Sequence, residues 1–383
     1  QKAIIYVLDK RNIKRLKTDI EKICQTEIAL FGSAPFQNYT FMTMATGNSY
    51  GGLEHCNSTS LITPREDLPK ANEAQEPSKD YQRFLGLCSH EYFHAWLVKF
   101  IRPENFVNYD LQQESYTSLL WIFEGFTSYY DDLILLRSGV ISQKTYLDLL
   151  KAQIDRYLQN PGRSIQSVSE SSFDAWIKFY RQDENSNNAA TSYYNKGCLV
   201  ALCLDLGLRL RGSSLDALLR RLYENAQQGI QVHEQTIFDL CQELTGDNWV
   251  EQINHLIHGT EELPLAQLLP EFGVGYRLKY DKALPFGLKV TDKAEGVVIQ
   301  QVRRDSTAAQ AGLSAHDVII AIDGLKASEK LLAKYTKQEG TFTVLAFRRD
   351  ELLQLELQAS ENLLATVDLK VLEQSQLERW LNI

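Results

Sequence analysis

The stretch Leu87-Cys88-Ser89-His90-Glu91-Tyr92-Phe93-His94 decides how the rest of the chain is read. Two histidines four apart lie on one face of a helix, so both imidazoles can hold a single metal ion. Glu91, next to the first histidine, then stands beside the place of an attacking water. Zinc suits such a site, because it takes three protein ligands and keeps a fourth position open. From this composition roughly 0.02 accidental matches are expected for a motif of this form. Chance is a poor explanation, and the question becomes whether the remainder of a site is present.

Upstream, Phe36 to Thr46 is rich in aromatic and β-favouring residues and predicts a strand. It runs into Gly51-Gly52-Leu53-Glu54-His55. Two glycines let the backbone pass close to a ligand. Alone, this pattern is a turn with an exposed acid. Beside a metal helix, Glu54 can bind the free ammonium group of a peptide and restrict cleavage to its first bond. Nearer the start, residues 3–8 suit a buried strand, and Asp9 to Cys24 suits a helix with Ile13, Leu16, Ile20 and Ile23 inward and basic residues solvated. Residues 64–80 read as a loop. The metal helix is expected from near Asp80, with its continuation ended by Arg102-Pro103.

Downstream, the pattern turns helical from Glu114 through Trp121 to Tyr130. Glu124 is the one acid in that apolar and aromatic stretch. A buried, unpaired carboxylate is costly and a metal ion removes the cost, so Glu124 is the candidate third ligand; the alternative is a glutamate on the helix surface. Ser192-Tyr193-Tyr194-Asn195-Lys196-Gly197 opens a long helix to about Arg211. Its apolar part, Leu199 to Leu210, is broken by Asp205 and Arg209 and reads as buried. Tyr194 is a candidate oxyanion donor, or else a tyrosine at the core edge. Residues 213–260 predict further helices, and Pro264 and Pro270 mark a linker. His255 and His258 have no acid or cysteine completing a site and read as surface residues.

Composition sets the outer limits. With 383 residues there is room for two or three domains and a large core. A net charge of −9 argues against nonspecific binding to nucleic acid or anionic lipid. No apolar run approaches the roughly 18 residues that span a bilayer. Cys24, Cys56, Cys88, Cys198, Cys203 and Cys241 form no CxxC pair and read as reduced, partly buried thiols, which favours a cytoplasmic home without excluding the periplasm. Oligomeric state is left open.

With these residues in hand, the chain resembles the glycyl aminopeptidase family of zinc peptidases, whose members carry a PDZ domain. The resemblance runs through GGLEH with Asn57-Ser58-Thr59, HEYFHAW, Val98-Lys99, Ile101-Arg102-Pro103, SLLWIFEGFTSYYDDL and SYYNKG. The aminopeptidase N family is similar in a looser way, but its third ligand lies nearer the second histidine than Glu124 lies to His94. The resemblance implies one zinc per chain on His90, His94 and Glu124, with Glu91 as general base and Tyr194 as transition-state stabiliser. Gly51, Gly52 and Glu54 would bind substrate, a peptide with a free amino terminus, and first residues such as Gly or Ala are implied by the family alone. Cys56, Leu97 and Phe100 stand where the family has a basic residue, an asparagine and an arginine. Members also carry an all-β domain ahead of this region, so Gln1 is expected to be an internal position of a longer protein.

The C-terminal part reads on its own. Pro285-Phe286-Gly287-Leu288 resembles a PDZ carboxylate-binding loop, and Gly296 to Gly324 follows with the strand, short helix, strand and turn of that fold. Phe286, Gly287 and Leu288 would hold a peptide chain end, although a purely structural cap is an equal alternative. The expected fold class is therefore α+β. A mostly helical, thermolysin-like peptidase domain (1–262) has a small sheet at its N-terminal side, a PDZ domain (263–360) follows, and a tail (361–383) packs on both. Two other functions compete: a PDZ-based scaffold with a decayed peptidase site, and an endopeptidase on the same metal.

Overall fold

Trp380, three residues from the last residue of the sequence, is fully buried in a core shared with residues from the first half. The computed structural model describes residues 2–6 and 12–383. β1 (Lys2–Tyr6), α1 (Ile13–Phe31), β2 (Thr40–Thr46), β3 (Gly51–Glu54) and β4 (Ser58–Pro64) come first. Their sheet has the order β1-β2-β4-β3, parallel except for β3, which lies antiparallel to β4 at one edge. Val7 and Leu8 of the expected first strand, and Asp9 of the expected helix, fall outside the described residues. α1 begins where the Asn12 side chain accepts from Arg15 N–H at 3.0 Å, and stops at Gly32, whose φ of 84° suits a residue without Cβ.

Helices then make the body: α2 (Lys79–Phe93), α3 (Leu120–Phe123), α4 (Gly125–Arg137), α5 (Gln143–Gln159), α6 (Val168–Phe173), α7 (Ser186–Ala189), α8 (Asn195–Arg209), α9 (Leu215–Gln227), α10 (Glu234–Thr245), α11 (Val250–His258) and α12 (Leu265–Glu271). β5 (Val274–Ala283) leads into β6 (Leu288–Lys293), β7 (Gly296–Val302), α13 (Thr307–Gln310), β8 (Val318–Ile322), β9 (Leu325–Lys326), α14 (Glu329–Tyr335), β10 (Thr341–Arg348) and β11 (Glu351–Gln358). β12 (Leu363–Val371) then returns antiparallel to β5, and α15 (Gln374–Leu381) closes the chain. The fold is α+β. No helix of the described residues is long and apolar enough to cross a membrane.

There are two cores. The larger joins α1, α2, α4 and α8 and also takes in Leu263, Leu265, Leu269, Phe272, Val274, Val367, Leu377, Trp380 and Leu381. The smaller lies wholly within the PDZ-type β module, around Phe286, Ile299, Ile319 and Leu357. Residues 263–274, expected in the second domain, thus belong to the first core. The two prolines expected to mark a linker instead bracket α12: Pro264 precedes its first turn, Pro270 sits in its last, and Leu265 and Leu269 bury its inner side. Three expected boundaries also move. The strand predicted from Phe36 starts at Thr40. The helix predicted from Glu114 starts at Leu120, because Thr117 Oγ1 and Ser172 Oγ take the amides of Leu119 and Trp121. α2 ends at Phe93 rather than near Arg102.

α8 buries every residue up to Leu208. Its one acid, Asp205, accepts from Tyr129 O–H (2.8 Å), Leu215 N–H (2.8 Å) and Arg209 Nε (2.9 Å), which offsets the cost of enclosing a carboxylate. His255 and His258 are half-exposed and pair with Glu261 and Glu234. All six cysteines are free thiols, and only Cys56 is exposed. Trp380→Ala should cost about 3–5 kcal/mol by opening the junction of α4 and α15, where its indole donates to Tyr129 Oη at 3.3 Å. Urea denaturation followed by circular dichroism measures this.

Candidate metal centre

Ser78 caps α2 by accepting from Tyr81 N–H, and the helix carries His90 and Glu91 in its final turn, with His94 as its C-terminal cap. The chain then folds into a tight turn. Lys99 N–H donates to His94 O at 3.1 Å and Val98 N–H to Ile101 O at 3.0 Å, while Val98 adopts a φ of 106°. A β-branched residue there is strained, and the surrounding bonds must hold it. The turn aims Leu97 O at His94 Nδ1, 2.9 Å away.

Glu124 sits between α3 and α4 in near-helical geometry. Behind it the backbones of α4 and α8 touch. A Cβ on Gly125 would fall 2.6 Å from the Gly197 backbone, and one on Gly197 would fall 2.9 Å from Gly125 Cα. Only two glycines permit this approach. It brings Glu124 and Tyr194, one helix apiece, to the same pocket. Lys196, 1% exposed, donates to Gly259 O at 3.1 Å, and burial pulls its pKa down to about 8.

His90 Nε2 and His94 Nε2 are 3.1 Å apart, and each is 3.2 Å from Glu124 Oε2. A tetrahedral zinc with bonds of ~2.0–2.1 Å holds its ligand atoms about 3.3 Å from one another, so this donor set fits the ion. Among the described residues these three form the one cluster of metal-ligating groups. The outer nitrogens are also fixed: His90 Nδ1 meets Asp131 Oδ2 at 3.1 Å and His94 Nδ1 meets Leu97 O. Such partners set the ring orientation and the tautomer of a ligating histidine. Asp131 escaped the sequence reading, although it lies seven residues after Glu124 and hence on the same face of α4. Burial favours the neutral form of Glu124, but His94 and His90 hold its carboxyl well below the ordinary glutamate range.

Glu91 is buried, and burial pushes its carboxyl up against the pull of His94 and His90. Its Oε2 has no hydrogen-bond partner among the described residues. On β3, Gly52 lies directly over it, and a Cβ there would fall 2.2 Å from Glu91 Oε1. The glycine expected to let the backbone approach a ligand therefore makes room for Glu91. Gly51 has no such close neighbour. Glu54, at the end of β3, is half-buried and pairs with Lys99 Nζ through Oε1 at 3.0 Å. Burial opposes its charge, yet His94 and Lys99 keep its carboxyl low. The Tyr194 ring lies 6.1 Å from that of His90, and burial and then Glu124 push its phenol far up, so it stays a protonated donor.

The second predicted site has a different outcome. Phe286 and Gly287 hold positive φ, and every amide of the loop is engaged: Phe286 N–H on Ser360 O (3.1 Å), Gly287 N–H on Leu284 O (2.9 Å) and Leu288 N–H on Pro285 O. In this structure the three loop donors turn inward, each on a backbone carbonyl of the module. The side chains of Phe286 and Leu288 belong to the small core.

A family model described as M61 glycyl aminopeptidase matches residues 83–200, and one described as a PDZ domain matches residues 285–357. A solved structure of an aminopeptidase N family protein from Idiomarina loihiensis is similar over 99% of this chain and 68% of its own, with 40% identity and a TM-score of 0.89. An M1 zinc metallopeptidase from Deinococcus radiodurans, solved as a mutant bound to a Tyr-Ser-Ala substrate, covers 68% of this chain and 46% of its own, with 15% identity and a TM-score of 0.41. No curated protein sequence matches. Replacing Asp131 with asparagine should weaken divalent-metal affinity about 10–100-fold by freeing the His90 ring, as read by competition with a chromogenic chelator.

Proposed function

The chain belongs to the glycyl aminopeptidase family of metallopeptidases, a zinc-type aminopeptidase by that kinship, and we propose that it releases a small first residue, Gly or Ala, from peptides with a free amino terminus. The observation that supports this most is the matched triangle of His90, His94 and Glu124 with one further carboxylate on each side, Glu91 beneath Gly52 and Glu54 at the end of β3. The preference for a small first residue rests on the family resemblance.

One zinc ion per chain, on His90, His94 and Glu124, would lower the pKa of a water to about 7 and polarise the scissile carbonyl. Glu91 takes the attacking water's proton and delivers it to the leaving nitrogen, work worth typically ~10²–10⁴-fold. Its burial suits this, because a carboxylate with one oxygen unpartnered is a better proton acceptor than a solvated one. The Tyr194 phenol donates to the carbonyl oxygen as negative charge gathers there. Glu54 binds the substrate's ammonium through Oε2, since Lys99 holds Oε1. This fixes the register, so that the first peptide bond meets Glu91.

The deciding experiment compares Gly- and Ala-aminoacyl reporters with free and with blocked amines, before and after chelation and zinc restoration. Hydrolysis of the free-amine forms alone, lost on chelation and absent in Glu91→Gln, is expected. Equal cleavage of blocked forms would point to an endopeptidase, and no hydrolysis in a zinc-loaded protein would leave a scaffold. Tyr194→Phe should lower kcat about 10²–10³-fold with little change in KM, and steady-state kinetics on the same reporters measure it.

A further inference from the structure

A phenol that must meet charge forming on one particular atom needs a fixed aim, because a misplacement of about 1 Å can cost on the order of 10²-fold in rate. Tyr194 stands at the N-cap of α8, where its side chain makes no capping bond. Its ring stands among three others: Tyr193 at 4.8 Å, Phe179 at 5.4 Å and His90 at 6.1 Å. Tyr193 is its neighbour in the chain, and His90 belongs to the metal triangle. Phe179 comes from a separate segment.

That segment is a π-helical turn, Ala175–Phe179, closed by Tyr180 N–H on Ala175 O at 3.0 Å. Such turns are rare, and frequent at functional sites. Burial of apolar surface does not account for this one, since Trp176 and Ile177 within it are 45% and 54% exposed. The ring it turns inward is that of Phe179, which packs 4.8 Å from Tyr193 as well as against Tyr194. Tyr180, next in the chain, adds its hydroxyl beside both phenols.

The turn is also tied to the tyrosine pair at its base. Gln166 is buried and spans the two: its Nε2 donates to Asp174 Oδ2 at 3.1 Å, and its Oε1 accepts from Thr191 N–H at 3.0 Å. Ser171 Oγ donates to Thr191 O at 2.6 Å. Asp174 O in turn accepts from Lys178 N–H at 2.8 Å, inside the turn. Residues 191–194 are thus held against this segment at both ends, by polar bonds at Thr191 and by ring packing at Tyr194. On its other side Phe179 lines an open cleft of about 460 Å³, which Tyr194 does not line. Without that ring, Tyr194 would have room to tilt.

We propose that Phe179 is a positioning residue for the hydrolysis, its ring bracing Tyr194 so that the phenol O–H points at the carbonyl oxygen. The inference rests on Tyr194 as the oxyanion donor and deepens that reading.

A double-mutant cycle, read by steady-state kinetics on the free-amine Gly reporter, tests this. Phe179→Ala should lower kcat about tenfold and leave KM within about twofold, with zinc content and circular dichroism unchanged. Phe179→Leu, which keeps most of the bulk, should recover most of the loss. In the Tyr194→Phe background, where no phenol is left to aim, Phe179→Ala should have no further effect on kcat. A wild-type kcat for Phe179→Ala, or the same proportional loss in both backgrounds, would overturn the proposal. Phe179→Val carries the same cycle if Phe179→Ala no longer holds zinc. A wild-type kcat for Tyr194→Phe would remove Tyr194 as donor and the brace with it, whereas a slow Tyr194→Phe with additive losses removes the brace alone.

Discussion

The backbone contact between Gly125 and Gly197 is the constraint on which the centre depends. Glu124 and Tyr194 come from helices 70 residues apart in sequence, and they face one pocket only because α4 and α8 meet without side chains between them. A Cβ at either position would meet the facing backbone at 2.6–2.9 Å and force a shift, behind a metal triangle whose edges are 3.1–3.2 Å. The fully buried length of α8 then converts a local contact into a fixed orientation. Its Asp205 network and the fit of Trp380 against Tyr129 keep the same helices from sliding.

Much of this was legible in the sequence where a pattern is repeated by chemistry. Histidines four apart on a helix and a lone acid in an apolar stretch announce themselves by type and spacing, and the structure brings His90, His94 and Glu124 together. The glycines were legible as glycines but not as to purpose. Gly52 makes room for a protein carboxylate, and Gly125 and Gly197 pack against each other, which only three-dimensional proximity reveals. Asp131 carries no local signal beyond its helical spacing from Glu124. The end of α2 was misplaced because the turn at residues 94–101 is held by Val98 in a conformation that propensity disfavours. Local hydrogen bonds within the turn, Val98 N–H to Ile101 O and Lys99 N–H to His94 O among them, prevail there.

The prolines at 264 and 270 mislead in an instructive way. Proline is tolerated just before a helix and near its end, and two buried leucines were enough to draw the intervening residues into the first core. The PDZ-like pattern was likewise right about the fold and silent about its use. Loop composition predicts a carboxylate nest, but the partner of its Phe286 amide is Ser360 O, which lies over 70 residues further along the chain.

That same stretch has a topological consequence. β5 and β12 are hydrogen-bonded neighbours, and Leu284 N–H reaches Glu361 O, so the chain leaves the catalytic body and comes back at almost the same point. The intervening module behaves as a cassette plugged into the tip of a hairpin. Evolution can swap, enlarge or delete such a graft while the host's hydrophobic interior keeps all of its own residues, α15 included.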